Sequence, residues 1–335
     1  MNSTKITDFN GTPCVELNAA GYTALIAYEI GCNVIRLRNT NNSVEFFRFN
    51  ENNKAEVIKN SPEVWGMPTL FFPNRLADGI LKTSDAEYHF PINEKNHYNN
   101  HIHGFVHKRT FEVVEHSSDS SSSWVKTKFE YTEKDEFFKY FPLKFTVEYT
   151  FTLSDKGLVQ DIRYTNNSDK MFPLSIGSHT AMKAPFADGA DPADIRLLVP
   201  AVKRCELNQR CLPTENLLEL SEWDKKYTDN SMQAVLQNLD NDMYTAGKLT
   251  VNGQPFNGII AEDIKTGKKI FYEVSEGYNF WIIWNDQGSN GYFCPEPMTA
   301  MINAPNLSLP ADVSGYKEIA PNESFTLFQH FYTNA

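Results

Sequence analysis

Hydrophobic and polar positions alternate over much of this chain. Phe145, Val147, Tyr149, Phe151 and Leu153 are spaced two apart, with Thr146, Glu148, Thr150 and Thr152 between them. That period belongs to a strand with one buried and one wet face. Ser154-Asp155-Lys156-Gly157 follows, and then a second strand-like run over 158–164, which predicts a hairpin. Similar runs over 22–29, 32–38, 86–90, 110–116, 124–131, 172–179, 195–199, 244–251, 257–263, 269–275, 279–284 and 324–332 predict further short strands, with turn residues between them. Helical spacing is brief, at 62–66, 134–140 and 222–226. Within 278–284, Phe280, Ile282 and Trp284 fall on one face and Trp281 and Ile283 on the other, as in a strand buried on both sides. The serine-rich segment 117–123 lies between two strand runs and predicts a mobile hairpin tip. Many closely spaced strands point to a sandwich or barrel, and no linker-like stretch divides the chain, so a single all-β domain over 1–335 is expected.

Composition narrows this picture. The 335 residues, 41% apolar and 13% aromatic, can bury a sizeable core. A net charge of −11 argues against a nucleic-acid or anionic-membrane partner. The five cysteines, Cys14, Cys32, Cys205, Cys211 and Cys294, are odd in number and form no Cys-x-x-Cys pair, so reduced thiols are expected. The first residues lack the basic-then-apolar layout of a secretory signal, and no apolar run approaches membrane-spanning length. A cytoplasmic protein is the default expectation.

Four stretches carry candidate chemistry. Glu296 stands between Pro295 and Pro297, which restrict its backbone and so aim its carboxylate. Its neighbours Phe293, Cys294, Met298, Ala300 and Met301 are uncharged, and such a surround raises a carboxylate's pKa and suits it to act as a base. An incidental glutamate of a surface loop would have the same local sequence. Arg75 follows the apolar, proline-ended run 69–73 and can offer a rigid fork of donors to hydroxyls or a carboxylate, or form a rim ion pair. His101 and His103 share one strand face beside Gly104; no glutamate follows at cupin-like spacing before Glu112, so one histidine is expected in a pocket and the other in the structure, without metal. His179 ends the apolar run 172–179 among small residues, where a side chain can face a cleft.

Taken in order, Asn74-Arg75, His103-Gly104-Phe105 with the run 110–114, Ser175-Ile176-Gly177-Ser178-His179, Glu296-Pro297-Met298-Thr299-Ala300 and Asn303-Ala304-Pro305-Asn306 resemble the aldose 1-epimerase (galactose mutarotase) family, and the N-terminal pattern 21–37 fits as well. The resemblance implies a large antiparallel β-sandwich of the galactose mutarotase-like kind, which binds a free sugar and interconverts its α and β anomers without metal or cofactor. It implies Glu296 as general base and His179 as general acid, with His103 and Arg75, beside Asn74, on sugar oxygens. An aspartate ahead of a β run would bind hydroxyls, here Asp242 or, less well, Asp240. Trp284, beside Asn285 and Asp286, offers a stacking platform for a sugar ring. The chain departs from the family in two places. The branch acting on hexose 6-phosphates carries an arginine where His107 stands, although Lys108 and Arg109 follow, and Ser178 and Thr180 replace the Asn-His-Ser pattern around the middle histidine.

The chemistry follows from the groups themselves. A hemiacetal opens when its C1 hydroxyl loses a proton and its ring oxygen gains one, and one base and one acid beside that unit suffice. The alternatives are a hexose-6-phosphate mutarotase, a carbohydrate-binding or regulatory protein that kept the fold without the reaction, and a sandwich enzyme that cuts or eliminates at a glycosidic or uronate bond. The expected partner is a small sugar, bound by a monomer or homodimer.

Overall fold

The computed structural model describes residues 2–334. The alternating runs form antiparallel sheets. One sheet of five strands follows chain order: Ser3–Phe9, Thr12–Ala19, Tyr22–Ala27, Asn33–Asn39 and Val44–Glu45. A sheet of eight strands, called here the back sheet, runs Glu112–Ser118, Ser122–Tyr131, Phe145–Ser154, Gly157–Asn166, Ser324–Thr333, Lys269–Val274, Gly258–Asp263 and Ile195–Leu198. The front sheet runs Pro213–Leu218, Ala201–Leu207, Asp242–Ala246, Phe280–Trp284, Tyr292–Met298, Gly177–Ser178 and Thr69–Leu70, with Met182–Lys183 also on Tyr292–Met298. The antiparallel sandwich implied by the sequence is therefore present.

Periodicity decided the faces. Phe145, Val147, Tyr149, Phe151 and Leu153 are all buried, while the residues between them are only half-buried. The expected hairpin closes with Leu153 opposite Leu158 and Ser154 opposite Gly157. The main core lies between the two large sheets, where Phe145, Tyr164, Tyr272 and Phe331 of the back sheet meet Tyr244, Trp281, Ile283 and Phe293 of the front sheet. The Tyr272 and Trp281 rings are 5.5 Å apart, edge to face. Burying such side chains stabilises by roughly 1.5–3 kcal/mol each. Phe280 and Ile282 point the other way, into a second cluster with Met243 and Met298. The strand Phe280–Trp284 is thus covered on both faces, as its pattern predicts.

Several expectations need correction. The run 134–140 forms turns rather than a helix. There the Asp135 carboxylate accepts the Phe137 N–H at 2.8 Å and is clamped by Arg109 at 2.7 Å, a local alternative to helical bonding. The stretch 172–179 is not one strand. Phe172–Leu174 pairs with Lys317–Ile319, and Gly177–Ser178 joins the front sheet. The stretch 244–251 divides between Asp242–Ala246 and Leu249–Val251. The other two brief helical stretches exist as the 3-10 turn Pro62–Val64 and the helix Glu222–Thr228, and Ala55–Asn60 adds one the pattern missed. The serine-rich segment is a hairpin tip, its turn held by the Asp119 carboxylate on the N–H groups of Ser121 and Ser122.

The most consequential miss is Tyr292–Met298, a strand inside the front sheet despite its two prolines. Proline removes a ladder donor, which argues against an interior strand. Successive residues of an antiparallel strand address opposite neighbours, however. Glu296 stands opposite Ile282, and the Met298 carbonyl accepts the Asn279 N–H at 2.9 Å. Pro295 and Pro297 therefore face the other edge. On that edge the neighbouring strand is interrupted between Gly177–Ser178 and Met182–Lys183. The interruption begins with His179.

Candidate active site

The strand register places Glu296 and His179 together. Glu296 projects from the face that carries Ile282, opposite the main core, and His179 sits in the gap beside it. His179 Nε2 lies 3.3 Å from Glu296 Oε1, and both side chains are buried, at 8% and 4% exposure. Burial drives both toward their neutral forms. It pushes the Glu296 carboxyl up to about 8, opposed by Arg75, and pulls the His179 imidazole down to about 4, opposed by Glu63. His179 Nδ1 has no hydrogen-bond partner.

A cavity of about 380 Å³ opens in front of this pair, within the ~300–1,000 Å³ usual for small-molecule sites. Asn74, Arg75, His103, Trp284 and Asn241 line it together with Glu296, His179 and Glu63. The His103 ring meets His179 edge to face at 5.2 Å, and the Trp284 ring meets it at 5.8 Å. A second hollow, formed by Asn238, Asp240, Asp286 and Gln287, adjoins the first across Trp284.

The turns that present these groups explain the motifs. His103 has φ +64° and donates its N–H to the Asn74 carbonyl at 2.8 Å. Gly104 follows at φ +60°, and a Cβ there would lie 1.9 Å from the Phe71 carbonyl oxygen, so only glycine fits. His103 is half-buried at the cavity wall, and desolvation and the neighbouring His179 lower its pKa well below the usual histidine value. His101 is the structural member of the pair: its Nδ1 sits 2.7 Å from the Pro91 carbonyl and its ring packs against Phe90. The Asn303–Asn306 motif holds the Arg75 strand, since Asn303 Oδ1 accepts the Ala77 N–H at 3.0 Å and Asn306 Nδ2 donates to the Ile80 carbonyl at 2.7 Å.

Arg75 is nearly saturated. Its Nε and Nη2 donate to Glu94 at 2.8–3.0 Å, and its Nη1 donates to Asn74 at 3.1 Å and Asn241 at 3.0 Å. Of five guanidinium hydrogens this leaves one on Nη2. Glu94 is held in turn by Asn100 Nδ2 at 2.9 Å.

Asp242 does not line the cavity. It pairs with Ile283, a core-facing residue, so its carboxylate points to the side of the sheet opposite Glu296. There it accepts from Arg204 at 2.8 Å, Tyr227 at 2.9 Å and Trp223 at 3.3 Å. Asn241, one residue earlier, faces the cavity instead, and Asp240 is exposed in the adjoining hollow. Glu63 and Glu94 were missed from the sequence. Glu63 accepts from His107 at 2.8 Å and pairs with Lys108 at 3.2 Å. Burial works to raise the Glu63 carboxyl, yet His107 holds it below the usual carboxylate value. No local pattern marks either glutamate, because each takes its role from a residue distant in the chain. Among the described residues no three His, Cys, Asp or Glu side chains are grouped to hold a metal ion, and no helix is long and apolar enough to cross a membrane.

The family model described as aldose 1-epimerase matches residues 13–332. The crystal structure of a galactose mutarotase-like protein from Clostridium acetobutylicum matches with a TM-score of 0.95 and 35% sequence identity, over 100% of this chain and 98% of that one. Galactose 1-epimerase from Lactobacillus acidophilus NCFM shares the fold, with a TM-score of 0.71 at 13% identity over 100% and 98% of the two chains. By sequence, protein LacX, plasmid, of Lactococcus lactis subsp. lactis is 23% identical over 244 residues, covering 72% of this chain and 76% of that protein. The chain belongs to the aldose 1-epimerase family.

Proposed function

We propose that this chain, acting as one domain, interconverts the α and β anomers of a neutral free aldose. The observation that carries this reading is the 3.3 Å approach of His179 Nε2 to Glu296 Oε1 at the floor of a sugar-sized cavity. O1 and O5 of a hemiacetal share one carbon, so two groups this close can serve both oxygens. Glu296, as carboxylate, takes the O1 proton while the C1–O5 bond breaks, and His179, as imidazolium, gives its proton to O5. The product is the open-chain aldehyde. Rotation about C1–C2 presents the other carbonyl face, and the same two transfers in reverse close the ring as the other anomer. The pair ends as it began, with no net proton gained or lost. Each positioned group supplies on the order of 10²–10⁴-fold.

The reactive arrangement is the tautomer of the pair in which its one proton resides on His179. Burial favours the neutral tautomer, but attraction between carboxylate and imidazolium at hydrogen-bond distance offsets much of that preference. Neutral His103 and the remaining Arg75 hydrogen offer bonds to sugar oxygens, and Trp284 offers a ring face.

Arg75 favours an uncharged substrate over a hexose 6-phosphate. It is the only lysine or arginine among the lining residues and is already neutralised by Glu94. The adjoining hollow carries Asp240 and Asp286 and no lysine or arginine. The test is anomer exchange, followed by NMR across neutral, acidic and phosphorylated aldoses. Acceleration is expected with a neutral aldose and little or none with its 6-phosphate. A Glu296→Gln variant is expected to fold and to lose the activity; full activity in that variant overturns the assignment.

A further inference from the structure

Pro295 and Pro297 leave the segment 179–181 without a ladder partner on the Glu296 side, so His179 must be held from elsewhere. Its backbone is tied laterally, by His179 N–H to the Pro68 carbonyl at 3.1 Å and Ala181 N–H to the Gly66 carbonyl at 2.8 Å. Behind it, in the interior of the sandwich, lies a chain of buried polar side chains that the reaction does not use. Gln160 and Gln329 stand opposite one another on the back sheet. Gln329 Nε2 donates to Gln160 Oε1 at 3.1 Å and to Ser178 Oγ at 2.8 Å, while Gln329 Oε1 accepts from the Tyr272 hydroxyl. The same hydroxyl accepts from Thr180 Oγ1 at 3.3 Å, and Gln160 Nε2 donates to Thr69 Oγ1 at 3.1 Å. All six residues are at most 2% exposed. Every polar atom of the Gln329 amide is used. Such a chain is expensive to bury and adds little net stability over apolar packing, but when satisfied it specifies one arrangement. The two side chains it grips from the front sheet's interrupted strand are the immediate neighbours of His179.

We propose that Gln329 and Tyr272 are positioning residues for His179: through Ser178 and Thr180 they hold the imidazole against Glu296 from the opposite sheet. This role presupposes that His179 is the acid of anomer exchange. It also gives Ser178 and Thr180, the two departures from the family's middle motif, a joint purpose, since both are hydroxyls aimed away from the cavity.

The test compares Tyr272→Phe and Gln329→Met with Tyr244→Phe. Tyr244 is an equally buried tyrosine, whose hydroxyl donates to Asp224 at 2.6 Å on the core side of the front sheet, away from His179. For Tyr272→Phe and Gln329→Met, kcat for anomer exchange is expected to fall roughly ten- to a hundred-fold with KM little changed, the scale of a misplaced catalytic group. The His179 ring, followed by NMR, is expected to titrate closer to the ordinary histidine value as the loosened segment admits water. Tyr244→Phe should lose comparable thermal stability and keep both wild-type kcat and wild-type titration. Wild-type kcat and His179 titration in Tyr272→Phe overturn the proposal, and that variant decides alone if Gln329→Met does not fold. If the wild-type protein accelerates no aldose, the mutarotase reading fails separately, and the His179 titration in the same variants still decides the positioning role.

Discussion

Glu296 and His179 hold one proton between them from pH about 4 to about 8, because burial lowers the imidazole and raises the carboxyl. Below this window the pair takes up a second proton, and above it the pair has none, so neither extreme can run a transfer in which one group gives while the other takes. The rate of anomer exchange is therefore expected to be bell-shaped, half-maximal at pH about 4 and about 8; a profile flat across that range would refute the pair as the catalytic device. Stability carries a second sign. The folded state keeps Glu296 protonated where the unfolded chain, with its carboxyl at 4.5, has released the proton, so Glu296 stabilises most below pH 4.5 and that contribution is lost as pH rises to about 8. Glu296→Gln does not titrate. Its melting temperature relative to wild type should climb between pH 4.5 and pH 8, and thermal melts showing a constant difference would contradict the shift. Glu296 was legible in the sequence because its two prolines are local and rare. Glu63 and Glu94 were not, since each is only one acidic residue among 42 until His107 or Arg75 is folded against it.

Strand parity accounts for what happened to Asp242 and for the face of the sheet on which Glu296 lies. A shift of one residue along a strand moves a side chain to the other face of the sheet. Asp242 pairs with Ile283 and faces the core, while Met243 pairs with Ile282 and faces the cavity side with Glu296. The carboxylate is thus a buried structural anchor for Arg204, Tyr227 and Trp223. Asp242→Asn should cost on the order of 1–3 kcal/mol of stability by leaving the half-buried Arg204 guanidinium and the buried Tyr227 hydroxyl poorly matched, with kcat per folded molecule unchanged; denaturant unfolding and anomer exchange measured together would check both halves, and a selective loss of kcat would return Asp242 to the site. At the turn before Phe105 the constraint is steric. Gly104→Ala would drive a methyl into the Phe71 carbonyl at φ +60°, so a loss of roughly 1–3 kcal/mol in stability and a displaced His103 are expected, read as a lower melting temperature together with a raised KM. The alternation that defines strands was readable throughout 145–164. The strand Tyr292–Met298 was not, because its prolines look like a break until the broken neighbour that accommodates them is known.

Across the whole molecule, buried histidines set the response to acid. His101, His103 and His179 are all lowered from 6.5 by burial. The folded state leaves them unprotonated while the unfolded chain binds protons, so stability is expected to fall as pH drops from 6.5 toward 4, opposed by the raised carboxyls of Glu296, Glu45 and Asp161. Proton uptake on unfolding in that interval, measured by titration calorimetry or from the pH dependence of denaturant midpoints, should be positive; none would show that these rings are solvated. The two-residue period determined, from sequence alone, that the chain is built of many short strands and, in clear runs such as 145–153, which side chains turn inward, since side-chain direction along a strand is a property of neighbouring residues. The resemblance of five short motifs added the family, its antiparallel sandwich and the roles expected of Glu296, His179, His103 and Arg75. Tertiary structure alone decided which strands became neighbours and in what register. That pairing brought His179 to 3.3 Å from Glu296, gave Arg75 to Glu94, and turned Asp242 into the core, because contacts between residues far apart in the chain depend on how whole sheets align and leave no period in the sequence to read.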